Sequence, residues 1–281
     1  MTFAPVGPGL YDGRCGIALF LAALDHVRGT QDYRNFIADV LDPLVHLVQT
    51  ATPRDRWRYL RDQSLGAAGV AGMLYTLVYL HRWQISLKTT SPLAFATLLG
   101  ETLDEGLVAR DQVFDFIGGS AGAIPALLLL FRETQNPDWL SLAERYGQHL
   151  LSHQDAETGG WPAPSSPPLT GFSHGATGMA YALLALYAVN GDTAFLAGAM
   201  AGLGYETRVF DPKQNNWPDY RFGVDPSVFQ NQWCTGAAGI GLGRLACLGL
   251  APQLDDMLMT DLQRALSDLM IAPVNAIDHL C

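Results

Sequence analysis

The sequence predicts an all-α fold in which helical hairpins repeat and close into an αα barrel, or αα toroid, with their G-x-x-G turns gathered at one end. Three observations carry the prediction. A G-x-x-G element recurs at Gly13–Gly16, Gly66–Gly69, Gly119–Gly122, Gly175–Gly178 and Gly236–Gly239, its first glycines 53, 53, 56 and 61 residues apart. One such element means little, but five at near-constant spacing mark a repeat architecture. Each element opens a long apolar run, and amphipathic stretches lie between the runs, with no convincing period-two alternation of the kind a half-buried strand shows.

The runs are IALFLAAL, VAGMLYTLVYL, AIPALLLLF, MAYALLALY and IGLGRLACLGL in chain order. Helices that are apolar on nearly every face are buried all round, so these read as inner helices. Pro125 is expected in the first turn of the third, where a missing N–H removes no intrahelical bond. The stretches between them follow i, i+3, i+4, i+7 spacing: Tyr33, Phe36, Ile37, Val40, Leu41 and Leu44; then Trp139, Leu142, Ala143, Tyr146 and Leu150; then Leu254, Met257, Leu258, Leu262, Ala265 and Leu266. They read as outer helices with one buried face. Helical hairpins of this kind stack as an open solenoid or close into a ring.

The residues ahead of the glycines favour the ring. Directly before the first glycine stand Asp12, Leu65, Gly118, His174 and Thr235, and one step earlier Tyr11, Ser64, Ile117, Ser173 and Cys234. A polar, varied set at the start of every inner helix makes sense when those starts converge on one centre. The turn-rich segment GGWPAPSSPP (159–168) reads equally as a lip over that centre or as a surface loop.

Composition narrows the function classes. With 49% hydrophobic and 16% charged residues, the 281-residue chain is too apolar for disorder, and no linker divides it, so residues 1–281 read as one domain. No apolar run approaches the ~18 residues of a membrane span, and the N-terminus lacks the features of a signal peptide, which points to the cytoplasm. Four scattered cysteines make no disulfide framework, and a net charge of −10 without a basic cluster argues against nucleic acid.

Several segments carry a family resemblance. G-F-S-H-G-A-T-G around His174, Q-W-C-T-G-A-A-G-I-G-L-G-R around Cys234 and the terminal D-H-L-C stand together with Y-D-G-R-C-G-I-A-L and F-D-F-I-G-G-S-A-G. This ordered set resembles the lanthionine synthetase C-like cyclases, most closely the C-terminal cyclase domain of LanM-type (class II) lanthipeptide synthetases. The resemblance implies a toroid whose central Zn2+ is held by the Cys of a W-C-x-G motif and by two adjacent residues of a terminal C-H-G or C-C-G motif. Cys234 and Cys281 are then the first two ligands and the third falls at position 282, so the chain is expected to be cut off inside its own zinc-binding motif. The dehydratase domain of LanM-type enzymes is absent from it. Some relatives carry an Arg four residues before the first ligand Cys, where this chain has Gln230.

The implied reaction adds a peptide cysteine thiolate to dehydroalanine or dehydrobutyrine of a dehydrated precursor peptide, forming a (methyl)lanthionine ring. Zinc with an open position lowers the pKa of a bound thiol. His174, whose type titrates near neutrality, suits the proton transfer, and Asp115, four residues before Gly119, is a candidate to orient it or to act as a second acid/base. Cys247, inside an apolar run, reads as core. Cys15 has no partner in the pattern, and His279 is a possible substitute ligand beside Cys281. Asp12 reads as an N-cap of the first inner helix. Two other functions fit parts of the pattern: a non-catalytic αα-toroid module that holds a peptide or thiol, and a glycosidase using Asp12 and Asp115 as paired carboxylates.

Overall fold

The computed structural model describes residues 6–61, 63–163, 167–222 and 228–271. They form α1 (Arg14–Arg28), α2 (Arg34–Thr50), α3 (Pro53–Arg61), α4 (Val70–Arg82), α5 (Pro92–Gly100), α6 (Glu105–Val108), α7 (Ser120–Thr134), α8 (Pro137–Ser152), α9 (Ala176–Asn190), α10 (Thr193–Val209), α11 (Gly236–Cys247) and α12 (Asp255–Ile271), with 3-10 turns at Tyr220–Phe222 and Pro252–Leu254. In place of strands the described residues show only isolated bridges. No helix among them is long and apolar enough to cross a membrane.

The glycine repeat has a steric cause. Gly13, Gly69, Gly119 and Gly175 are the N-caps of α1, α4, α7 and α9 and offer no side chain to the free N–H groups of the first turn. Chain returning over the helix end supplies acceptors instead: Gly7 O for Arg14 N at 2.8 Å, Ser64 O for Val70 N at 2.9 Å and Leu169 O for Ala176 N at 3.1 Å. A Cβ at Gly16, Gly72 or Gly178 would overlap the carbonyl oxygen of Leu10, Ala67 or Phe172, so the second glycine admits the crossing chain. This geometry corrects the register of the second repeat. Its N-cap is Gly69 and its close-approach glycine is Gly72, which puts Ala68 rather than Leu65 at the position equivalent to His174.

Two compact units emerge. The first comprises Met1–Asp111 and Ile117–Ala143. In it α4 packs against α1, α5 and α7, burying Leu74, Leu77, Leu127 and Leu130. The second comprises Gln112–Phe116 and Glu144–Cys281. There α9 packs against α10 and α11, and α11 against α12, around Trp217, Ala237, Ile240 and Ala265.

The inner helices α4, α7 and α9 are buried nearly all round, as their composition requires, and the outer α2, α8 and α12 bury one face each. Other expectations fail. Phe20 of α1 is 67% exposed, so that helix buries mainly the stripe Cys15, Ala18, Ala22 and Asp25. In α11 Leu242 and Leu245 are exposed while Arg244 is fully buried, because its guanidinium meets the carboxylates of Glu206 and Asp261. Pro125 lies beyond the first turn of α7, which begins at Ser120, and there it withholds the N–H that the Ala121 carbonyl would otherwise accept. Asp12 is exposed and does not cap α1, whose N-cap is Gly13.

Candidate functional site

Within the second unit three segments are stitched side by side through their backbones. Phe116 N donates to Ser173 O at 3.1 Å, and Ser173 N donates to Cys234 O at 3.2 Å. Asp115, His174 and Cys234 therefore lie in adjoining stretches of chain. The approach needs a glycine at 171: its φ is 102°, and a Cβ there would come within 2.5 Å of the Cys234 carbonyl oxygen. Phe116, Phe172 and Trp233 form an aromatic run alongside, with ring centroids 4.6 and 6.5 Å apart.

His174 Nδ1 lies 2.7 Å from Asp115 Oδ2. The carboxylate side chain is nearly buried, at 9% exposure, whereas the imidazole keeps 37%. Because a carboxylate oxygen accepts, the contact favours the imidazole tautomer that carries its proton on Nδ1, and Nε2 is left outside the pair. The backbone just before Asp115 is unusual: Phe114 takes φ 61°, a left-handed conformation costly for a bulky residue. Its buried ring, packed against His153 and His149 at 4.8 and 5.5 Å, holds that turn.

Cys234 is 1% exposed. Its Sγ lies 3.4 Å from Gln232 Oε1 and 3.7 Å from Arg221 Nη1. Arg221 is itself gripped by the buried Asp219, with Nε to Oδ1 at 3.0 Å and Nη2 to Oδ2 at 2.7 Å. Sequence reasoning missed Arg221, which occupies no repeat position. It brings a guanidinium to the Cys234 sulfur from outside the W-C-T-G motif.

A zinc site needs at least three protein ligands. Cys234, the ligand the motifs imply, is disulfide-bonded in this structure, so its sulfur could serve as one of them only once reduced. Cys281 and His279 lie outside the described residues, and among the described residues no three His, Cys, Asp or Glu side chains converge to hold a metal. Cys15 and Cys247 do not serve: both are free and buried, and burial pushes their thiols up to about 12. Trp161, in the 159–168 segment, is buried with Nε1 donating to Leu150 O at 2.8 Å, so that part of the segment is anchored rather than a free surface loop.

Known proteins share this fold. The model of the lanthionine synthetase C-like protein family matches residues 4–273. Among solved structures, nisin cyclase is similar with a TM-score of 0.64 at 18% identity, covering 92% of this chain and 69% of that one. A sugar epimerase from a ruminal bacterium gives a TM-score of 0.49 at 14% identity, covering 83% and 72%. No curated protein matches. The likeness to nisin cyclase shows the expected fold class, all-α and αα-toroid, and the family match spans nearly the whole sequence. The chain belongs to the lanthionine synthetase C-like family.

Proposed function

We propose that this chain is a thioether-forming cyclase domain of the LanM type, acting on a dehydrated precursor peptide. The observation that carries the reading is the His174–Asp115 pair at 2.7 Å, joined through Ser173 to the segment bearing Cys234. In the reaction a peptide cysteine loses its thiol proton and its sulfur bonds to the β-carbon of dehydroalanine or dehydrobutyrine. The displaced π electrons form an enolate, and a proton added at the α-carbon completes the ring, so no redox partner is required. His174 Nε2 is the group that moves the proton, and Asp115 keeps the ring in the tautomer that leaves Nε2 free. Arg221, steadied by Asp219, offsets negative charge beside Cys234. Zinc held by Cys234 and Cys281, as the motifs imply, would supply activation of the peptide thiol. The glycosidase alternative fits less well, because Asp115 is committed to His174 and Asp12 is exposed.

The test is incubation with a peptide carrying one cysteine and one dehydroalanine, followed by alkylation and mass spectrometry. Loss of free thiol above the protein-free rate supports the cyclase. Peptide binding with no thiol loss replaces it with the non-catalytic binding module.

A further inference from the structure

We propose that Glu206 is a positioning residue for His174, its buried carboxylate tying down both ends of the loop that presents the imidazole. The assignment of His174 as the proton carrier belongs to the functional reading above, and the role of Glu206 rests on it. Glu206, in α10, is fully buried. Its Oε1 accepts from Gly171 N at 2.8 Å and from Thr177 N at 3.0 Å, three residues before and three after His174. Its Oε2 accepts from Thr177 Oγ1 and from Arg244 Nη1, the latter at 3.0 Å. Thr177 N belongs to the first turn of α9, whose glycine N-cap leaves it unserved, and a carboxylate there is favoured by both the free N–H and the helix dipole.

The ion cluster behind Glu206 explains how a charge is kept there. Arg244 of α11 also donates to Thr177 Oγ1 at 2.7 Å and to Asp261 Oδ2 of α12 at 3.1 Å, and Arg264 meets Asp261 Oδ1 at 3.1 Å. Burial pushes the Glu206 pKa up, against the pull of Arg244 and of the N–H and O–H donors. If helix packing were the only task, the choice would be odd, because well-packed apolar side chains often replace a buried ion pair with no loss of stability. What apolar side chains cannot do is accept the two N–H groups that bracket His174.

The experiment compares the full chain with Glu206→Gln, which keeps the Oε1 acceptor, and with the double variant Glu206→Leu/Arg244→Leu, which removes both charges together. The readouts are amide hydrogen exchange at Gly171 and Thr177 and the downfield NMR resonance of the His174 Nδ1–H bonded to Asp115. The double variant is expected to melt as a folded protein, to lose about tenfold or more of the protection at both amides, and to lose the imidazole resonance. Glu206→Gln is expected to keep both signals. Retention of protection and resonance in a folded double variant would overturn the proposal, leaving Glu206 a packing ion only. Their loss in Glu206→Gln would overturn it too, and that comparison stands even if the double variant does not fold. In the cyclisation assay the double variant should fall about tenfold or more in kcat at unchanged KM. If the parent chain does not cyclise at all, the functional reading fails while the exchange and NMR readouts still decide the role of Glu206.

Discussion

Asp115 Oδ2 accepts a hydrogen bond from His174 Nδ1 at 2.7 Å across a sequence separation of 59 residues. Both residues belong to one compact unit only because the short stretch Gln112–Phe116 joins it, detached from its neighbours in sequence. The bond is thus a product of tertiary structure, and under the proposed function it holds His174 in one tautomer.

Asp115→Asn tests that tautomer. An amide can turn its NH2 toward Nδ1, which moves the ring proton to Nε2 and removes the base. Cyclisation should slow by about 10²-fold or more, with peptide affinity unchanged. Single-turnover rates against binding isotherms separate the two, and a parental rate would show that Asp115 has no part in the chemistry.

Arg221→Met leaves the buried carboxylate of Asp219 without its cation. Stability should fall by about 1–3 kcal/mol, read as a lowered denaturation midpoint. Cyclisation should also slow, and Arg221→Lys, which keeps the charge but not the paired contact, should recover part of the rate. Stability and rate both unchanged would show that the guanidinium near Cys234 is incidental.

Cys15 and Cys247 should resist alkylation in the folded chain. Burial raises both thiols from an ordinary 9 to about 12, so the thiolate fraction near pH 8 is on the order of 10⁻⁴. The sign of the linkage follows: the folded state holds these protons after the unfolded state has released them, so their contribution is complete below about pH 9 and is lost as pH climbs toward about 12. Replacing both by Ala should flatten the fall of the denaturation midpoint over that window, and an unchanged slope would contradict the assignment.

Two glycine substitutions test the steric origin of the repeat. Gly72→Ala drives a methyl group into the Ala67 carbonyl and should cost about 1–3 kcal/mol. Gly204→Ala, in the body of α10, meets only the flexible end of Arg208 at 3.4 Å and should gain up to about 1 kcal/mol from helix propensity. Thermal melts of the two variants should move in opposite directions.

Helices α4, α7 and α9 are legible in the sequence because apolar residues fill almost every position, and so is the adjoining of the segments that carry His174 and Cys234, because the repeat marks equivalent places for them. Helix α10 carries no periodic signal: it packs through Gly198 against Leu151 and Leu183 and through Gly202 against Trp161, so missing side chains make the contact. Arg244 is hidden in a run that reads as apolar, and its burial depends on carboxylates supplied by two other helices. Arg221 and Glu206 escape for the same reason, since nothing local marks a residue whose partners are distant in sequence. The second repeat misleads by one turn, because Gly66, Gly69 and Gly72 offer two overlapping G-x-x-G readings and only the path of the crossing chain distinguishes them.

The central claim is that His174 carries the proton in thioether formation. Its most direct test is the cyclisation rate of His174→Ala beside the parent, on a dehydrated peptide with one cysteine, with the metal content of both proteins measured in parallel. The expected rate is lower by about 10²-fold or more at equal metal content. An unchanged rate would contradict the claim, and loss of metal along with activity would move His174 from proton carrier to ligand.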